Sequence, residues 1–285
     1  PLLTGLGGVS LIVGAPLLAA QWLMLAGSLG LVAIFAAIIR RHPALYTFTM
    51  GGGSLVWALG NLLWCLGWPV FLVVFWWAAF LVVTIAGERL ELARLQQVTG
   101  AAQATFLLLL GILLTGLLLL GWSFDGGVRL FGLGLAGLAL WLGRHDIARR
   151  TVKQAGLTRF IAICLLTGYV WLGISGLSAM WFGGVPVGPQ YDATLHAFFL
   201  GFVFAMIFAH APIIFPAVLG ARMAYRPLFY AHVVLLQVTL VVRFIGDAAG
   251  WSAGRQVGGL LNAVTLLLFL VNTVSALQSP PERAG

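Results

Sequence analysis

A chain of 285 residues that is 61% hydrophobic and only 8% charged has too little polar surface to fold as a soluble domain. Its formal charge of +8 comes from basic residues scattered over separate loops, which excludes a nucleic-acid-binding stripe and serves as a topology signal. Apolar runs of about 20 residues recur along the length, each enough to cross a ~30 Å hydrocarbon core. The sequence therefore predicts an all-α polytopic transmembrane helix bundle, one integral membrane domain over residues 1–285, with the lipid bilayer as its first partner and no nucleic acid.

The period-two alternation of membrane-barrel strands is missing, so helices are the expected spans. In chain order the apolar runs predict ten helices, at about 2–15, 19–39, 44–66, 69–87, 102–121, 128–143, 157–182, 191–219, 228–248 and 256–278, eight to ten of them spanning. Linkers are short, as between antiparallel neighbours, except for the charged stretches 88–100 and 144–158. The first of these sets Leu90, Leu92 and Leu95 among charges and reads as the solvated end of its span, with a short surface helix as the alternative. Gly132, Ala136, Ala139 and Gly143 offer small-residue packing faces. Nothing at the start reads as a cleavable signal peptide. Cys65 and Cys164 fall near opposite faces, and no CxxC occurs, so neither a disulfide, a structural zinc nor a c-type haem is expected.

Arg40, Arg41, Arg89, Arg94, Arg144, Arg149, Arg150, Lys153, Arg159, Arg222, Arg226 and Arg283 gather in one set of loops, while Arg129 and Arg255 fall in the other. The positive-inside rule makes the first set cytoplasmic, which puts both termini inside.

Ionisable groups within spans are costly and are the natural functional candidates. Helix 191–219 carries Asp192, His196 and His210. At about 100° per residue the two histidines come within about 40° of the same face, ~21 Å apart along the axis. Met206 stands four residues before His210, so a thioether and an imidazole are placed to share copper(I) or haem iron. Pro212 and Pro216 follow and are expected to kink the helix. On helix 228–248, His232, Leu236, Thr239, Arg243 and Asp247 share a face. Paired antiparallel, the two helices bring His210 toward His232 at the cytoplasmic end, and Asp192 with His196 toward Arg243 and Asp247 at the outer end. Arg243 holds its charge and needs an anion: Asp247, Asp192 or a haem propionate. His42, before Pro43, heads a stripe of Tyr46, Thr49, Gly53, Trp57 and Asn61 and is a third inner-side candidate ligand, or an interfacial histidine. His145 reads as a solvated loop residue. Protease, hydrolase and P-loop motifs are missing.

At Leu195-His-Ala, followed at fixed spacing by Gly201 and Met206, the chain resembles the NnrS family of polytopic bacterial membrane proteins. The resemblance implies a haem or copper role for His196 and a link to nitric oxide metabolism. Adjacent His-His and His-x-His pairs of oxidase core subunits are missing, so a dioxygen-reducing binuclear centre is not expected. Nor does a second helix repeat the His196–His210 spacing that two bis-histidine haems would need.

The expectation is an inner-membrane protein binding haem b, with copper as a further cofactor, between helices 191–219 and 228–248. His210 and His232 would be ligands, with His42 and Met206 as further candidates. Asp192 and His196, facing Arg243 and Asp247, would form a second site or a proton path. Its work would be electron transfer or nitric oxide handling, with a redox partner or respiratory complex. Two alternatives stay open: a proton-coupled secondary transporter or metal permease using the His/Asp/Arg stripe, and a non-catalytic subunit of a respiratory complex.

Overall fold

The computed structural model describes residues 1–93 and 99–278. Its helices are α1 (Leu2–Ile12), α2 (Leu17–Arg41), α3 (Leu45–Cys65), α4 (Val70–Ala93), α5 (Gly100–Leu119), α6 (Phe124–His145), the single turn α7 (Ala148–Thr151), α8 (Gly156–Phe182), α9 (Pro189–His196), α10 (Phe204–Leu219), α11 (Phe229–Ala248) and α12 (Ser252–Ser275). A π-helical segment, Ala197–Val203, joins α9 to α10 without a break. A short antiparallel ribbon pairs β1 (Arg222–Met223) with β2 (Leu277–Gln278), Arg222 opposite Gln278. The all-α bundle expected from the apolar pattern is the architecture observed.

Among the described residues, eight helical stretches are long and apolar enough to cross a membrane, counting α9 through α10 as one. Helix α3 has the length, at 21 residues, but its Gly, Ser, Thr and Asn residues make it less apolar. Helix α1 has 11 residues, about 16 Å at ~1.5 Å per residue, and cannot cross a ~30 Å core. Segment 2–15 is thus a helix that falls outside the spans, within the expected range of eight to ten. Large apolar side chains such as Leu140 and Val170 are exposed along the helices, the pattern of a surface facing lipid.

The chain forms two compact groups, Pro1–Gly134 and Leu135–Gly285. In the first, α2, α3 and α4 are tied by polar groups that find partners inside. Gln21 Nε2 donates to the Trp64 carbonyl at 2.9 Å, and Asn61 donates to the Met24 carbonyl while accepting from Trp77 Nε1 at 3.0 Å. Trp57 stacks on Phe80 at 4.7 Å. The stripe below His42 is thus internal packing between helices. Helix α4 runs on to Ala93, and Arg89, expected in a loop, is buried within it and pairs with Glu88 at 2.7 Å. Residues 94–98 of that stretch, and Arg283, lie outside the described residues. Cys65 and Cys164 are free thiols.

In the second group, α8 packs along α9, the π segment and α10, and α11 forms a hairpin with α12. Trp171, Ala197 and Leu240 make a buried centre flanked by Ile174, Leu200 and Phe244. Lipid tails are as apolar as these side chains, so the helices hold together by close fit and internal hydrogen bonds instead of by escape from water. The α11–α12 contact shows this most sharply. A Cβ on Gly258 would fall 2.7 Å from Arg243 N, and one on Gly246 would collide with the Arg255 backbone. The turn between them is closed by Gly250 at φ +69° and by Trp251 N–H donating to the Gly246 carbonyl at 2.9 Å.

Gly246→Val is expected to force α11 from α12 and destabilise the protein by about 1–3 kcal/mol, read as a lowered Tm in detergent. Gly111→Ala, whose Cβ meets nothing within 4 Å, is expected to leave Tm unchanged.

Candidate functional site

Helix α9 begins with Gly188 at φ +104° and Pro189 in its first turn, a start that proline's fixed φ and missing N–H suit. This sets Asp192 in the first turn, where the helix dipole favours a carboxylate. One turn on, His196 closes α9, its Nδ1 2.8 Å from the Asp192 carbonyl. A carbonyl only accepts, so the ring proton is on Nδ1 and the lone pair on Nε2.

Across from this end, the α11–α12 hairpin brings two guanidiniums to two carboxylates. Arg243 Nη2 donates to Asp192 Oδ2 at 3.1 Å and Arg255 Nη2 donates to the same oxygen at 2.8 Å. Arg255 Nε lies 2.9 Å from Asp247 Oδ1, and Arg243 Nε 3.7 Å from Asp247 Oδ2, both at ion-pair distance, the first too poorly aligned and the second too long for a hydrogen bond. The Asp247 side chain is fully buried, Asp192 is 28% exposed and Arg255 39%. Asp192, Asp247 and His196 each bring one ligand-type atom within 4.8 Å of the others.

The cluster's electrostatics decide what it can hold. Two carboxylates and two guanidiniums cancel, so the group can sit within a low-dielectric bundle. Removing either sign would leave an uncompensated buried charge. The three oxygen and nitrogen donors suit a borderline or hard cation, not soft copper(I). Any such cation would compete with two guanidiniums already seated on the carboxylates. The arrangement favours exchange of one carboxylate for another, because arginine binds carboxylates through a fixed fork of N–H groups.

The inner site is built differently from the expectation. His232 is buried among Phe208, Phe269, Phe229 and Phe160, with ring centroids at 4.7, 5.3, 6.1 and 6.3 Å. Asn272 Nδ2 donates to the Leu228 carbonyl at 3.0 Å, which fixes the amide's orientation, and lies 3.3 Å from His232 Nδ1. Nδ1 therefore accepts and Nε2 carries the proton. The α10 side chain on the His232 ring is Phe208, two residues before His210. The His210 Nδ1 instead lies 2.6 Å from the Met206 carbonyl. Met206 is buried with its methyl group against Gly168 of α8, a packing role. His42 is exposed at the end of α2, in the first group of helices, and its carbonyl accepts the Thr47 hydroxyl. His145 is half-buried and stacks on Trp141 at 4.8 Å, so it is not the solvated loop residue expected.

Asp192, His196, Arg243 and Asp247, singled out in the sequence, are thus brought together. The α-helical arithmetic linking His196 to His210 does not hold, because the π segment between them winds less per residue. Both prolines sit inside α10, which continues through them. Arg255 was missed as a site residue because it reads as a loop cation. Its signal was the Gly254 and Gly258 spacing beside it and the Gly250 turn behind it. Asn262, which accepts from Thr239 at 2.7 Å, and Asn272 were also missed, although with Thr265 they form a helical-period polar stripe on α12.

The family described as Domain of unknown function (DUF8744) matches residues 1–278, and the chain belongs to it. No curated protein and no solved structure matches the chain.

Asp247→Asn leaves two guanidiniums facing one carboxylate and is expected to cost about 3 kcal/mol. Arg255→Gln, at a more exposed group, is expected to cost less. Unfolding in mixed detergent should show the double variant losing less than the sum of the two.

Proposed function

We propose that this member of the family is a proton-coupled secondary carrier for a small carboxylate-bearing solute, with Asp192, Arg243 and Arg255 as its binding fork. The observation that carries the reading is the single Asp192 oxygen shared by Arg243 and Arg255. Asp192 then stands in for the substrate. Protonating it removes its charge and releases both guanidiniums to an incoming carboxylate, so proton and anion enter together. Asp247, fully buried, is the second carboxylate at ion-pair distance from both guanidiniums. His196, with its lone pair on Nε2, is placed to pass the proton. The π segment directly after His196 supports the same reading, since such segments recur at functional sites and leave a helix locally adaptable. The setting in this proposal is a bacterial inner membrane, with the Lys/Arg-rich loops in the cytoplasm.

A second reading keeps the haem b and copper role, in electron transfer or nitric oxide handling with a redox partner or respiratory complex. What favours it is the tautomer of His196 and His210. Each bonds Nδ1 to the carbonyl four residues back, the arrangement that metal-ligating histidines use to fix the ring. The Arg243–Arg255 fork would then hold haem propionates, which are carboxylates too. The residues around His232 do not fit this role: Asn272 engages Nδ1 and phenylalanines surround the ring.

Purified protein reconstituted into pyranine-loaded liposomes is the test. Under an inward proton gradient, external succinate should acidify the lumen in step with its uptake, faster at lower external pH. Asp192→Asn and Arg255→Gln should each reduce the rate at least tenfold. A Soret band or stoichiometric copper in the same preparation, with no uptake, would overturn the carrier reading in favour of the second.

A further inference from the structure

We propose that the groove between α6 and α8 is a binding site for an anionic phospholipid, with Arg144 and Arg149 on its phosphate and its acyl chains along the apolar wall. The groove stands apart from the Asp192 cluster and does not depend on how that cluster works.

The site begins with Asp146, which is buried although it follows directly on α6. Its Oδ1 accepts the Ala148 N–H at 2.7 Å and its Oδ2 accepts the Tyr169 hydroxyl of α8 at 2.7 Å. Both oxygens are therefore engaged, and the turn after α6 is pinned against α8. The chain then doubles back so that Arg149 Nη1 donates to the Arg144 carbonyl at 3.1 Å. Two exposed arginines are held side by side, and among the described residues neither guanidinium meets a carboxylate.

Beneath them lies a cavity of about 700 Å³ whose walls include Leu140 and Gly143 on α6 and Val170 and Gly173 on α8. Small residues expected to pack helix on helix leave it open: a Cβ on Gly143 would meet nothing within 4 Å. Leu140 and Val170 are 77% and 62% exposed, so the groove opens sideways toward lipid. Paired cations above an apolar slot match the two ends of an anionic phospholipid. Basic pockets between spanning helices on the cytoplasmic side hold such headgroups, and the Lys/Arg distribution puts this end in that leaflet. A zwitterionic lipid offers the same chains but carries its own cation to the arginine pair.

Native mass spectrometry of the detergent-purified full chain tests this, titrating dioleoyl phosphatidylglycerol against dioleoyl phosphatidylcholine. One phosphatidylglycerol is expected to be retained at concentrations where phosphatidylcholine is not. Arg144→Gln with Arg149→Gln should weaken its retention about tenfold or more, and the paired Lys variants should keep most of it. Gly143→Leu, which extends a side chain into the open slot, should also weaken retention with every charge in place. Equal retention of the two lipids, or a Gln double variant that binds like the parent, overturns the proposal. So does an unaffected Gly143→Leu variant, or glycerol phosphate binding as tightly as the lipid, since either would mean attraction at the rim without the groove.

Discussion

The sharing of Asp192 between Arg243 and Arg255 is the constraint on which the second half of the chain depends. Three helices contribute to it, and none could keep its charge within a bilayer without the others. An unpaired arginine or aspartate at the centre of a span costs about 2.5–3.5 kcal/mol on insertion scales. The charges therefore specify which helices pair and in what register, a task that apolar side chains perform poorly where the solvent is itself apolar. The glycines of the α11–α12 hairpin serve the same end by letting the Arg243 and Arg255 backbones meet the opposing helix.

Polar content elsewhere is divided between two uses. Gln21, Asn61 and Trp77 in the first group are closed pairs that only fasten helices. Among the described residues, buried atoms without hydrogen-bond partners occur in both groups: Trp76 Nε1 and Thr84 Oγ1 in the first, and His232 Nε2, Asn272 Oδ1, Asn262 Nδ2, Arg243 Nε and both carboxylate oxygens of Asp247 in the second. Such atoms are uncommon, since an unmet buried polar group is costly. Most of them lie on α11 and α12, the hairpin that carries Arg243, Asp247 and Arg255.

Much of this was open to reading from residues. Hydropathy sufficed for the helices because a bilayer demands long apolar runs, and it left the crossing undecided only where a run was short, as in α1. The Asp192–His196–Arg243–Asp247 grouping followed from helical periodicity plus antiparallel pairing, which holds while both helices stay regular. Helix α11 is regular, and its buried face matches the count. The α9–α10 stretch is not, and nothing in Ala197-Phe-Phe-Leu-Gly-Phe-Val announces a π segment by composition. That irregularity undid the expected link from His196 to His210, and local packing put Phe208, not His210, on the His232 ring. Arg255 escaped notice for a related reason: its role depends on how tightly a turn closes, which hydropathy does not record.

The turn at Ala249–Trp251 therefore carries information out of proportion to its size. Because successive residues step about 100° around a helix, one residue added there would swing Arg255 to another side of α12 while hardly altering the hydropathy of either span. Asp247 would lose its nearest cation without any charged residue having been replaced. Among related chains, conservation of length between Asp247 and Arg255 is a sharper marker of this arrangement than conservation of composition.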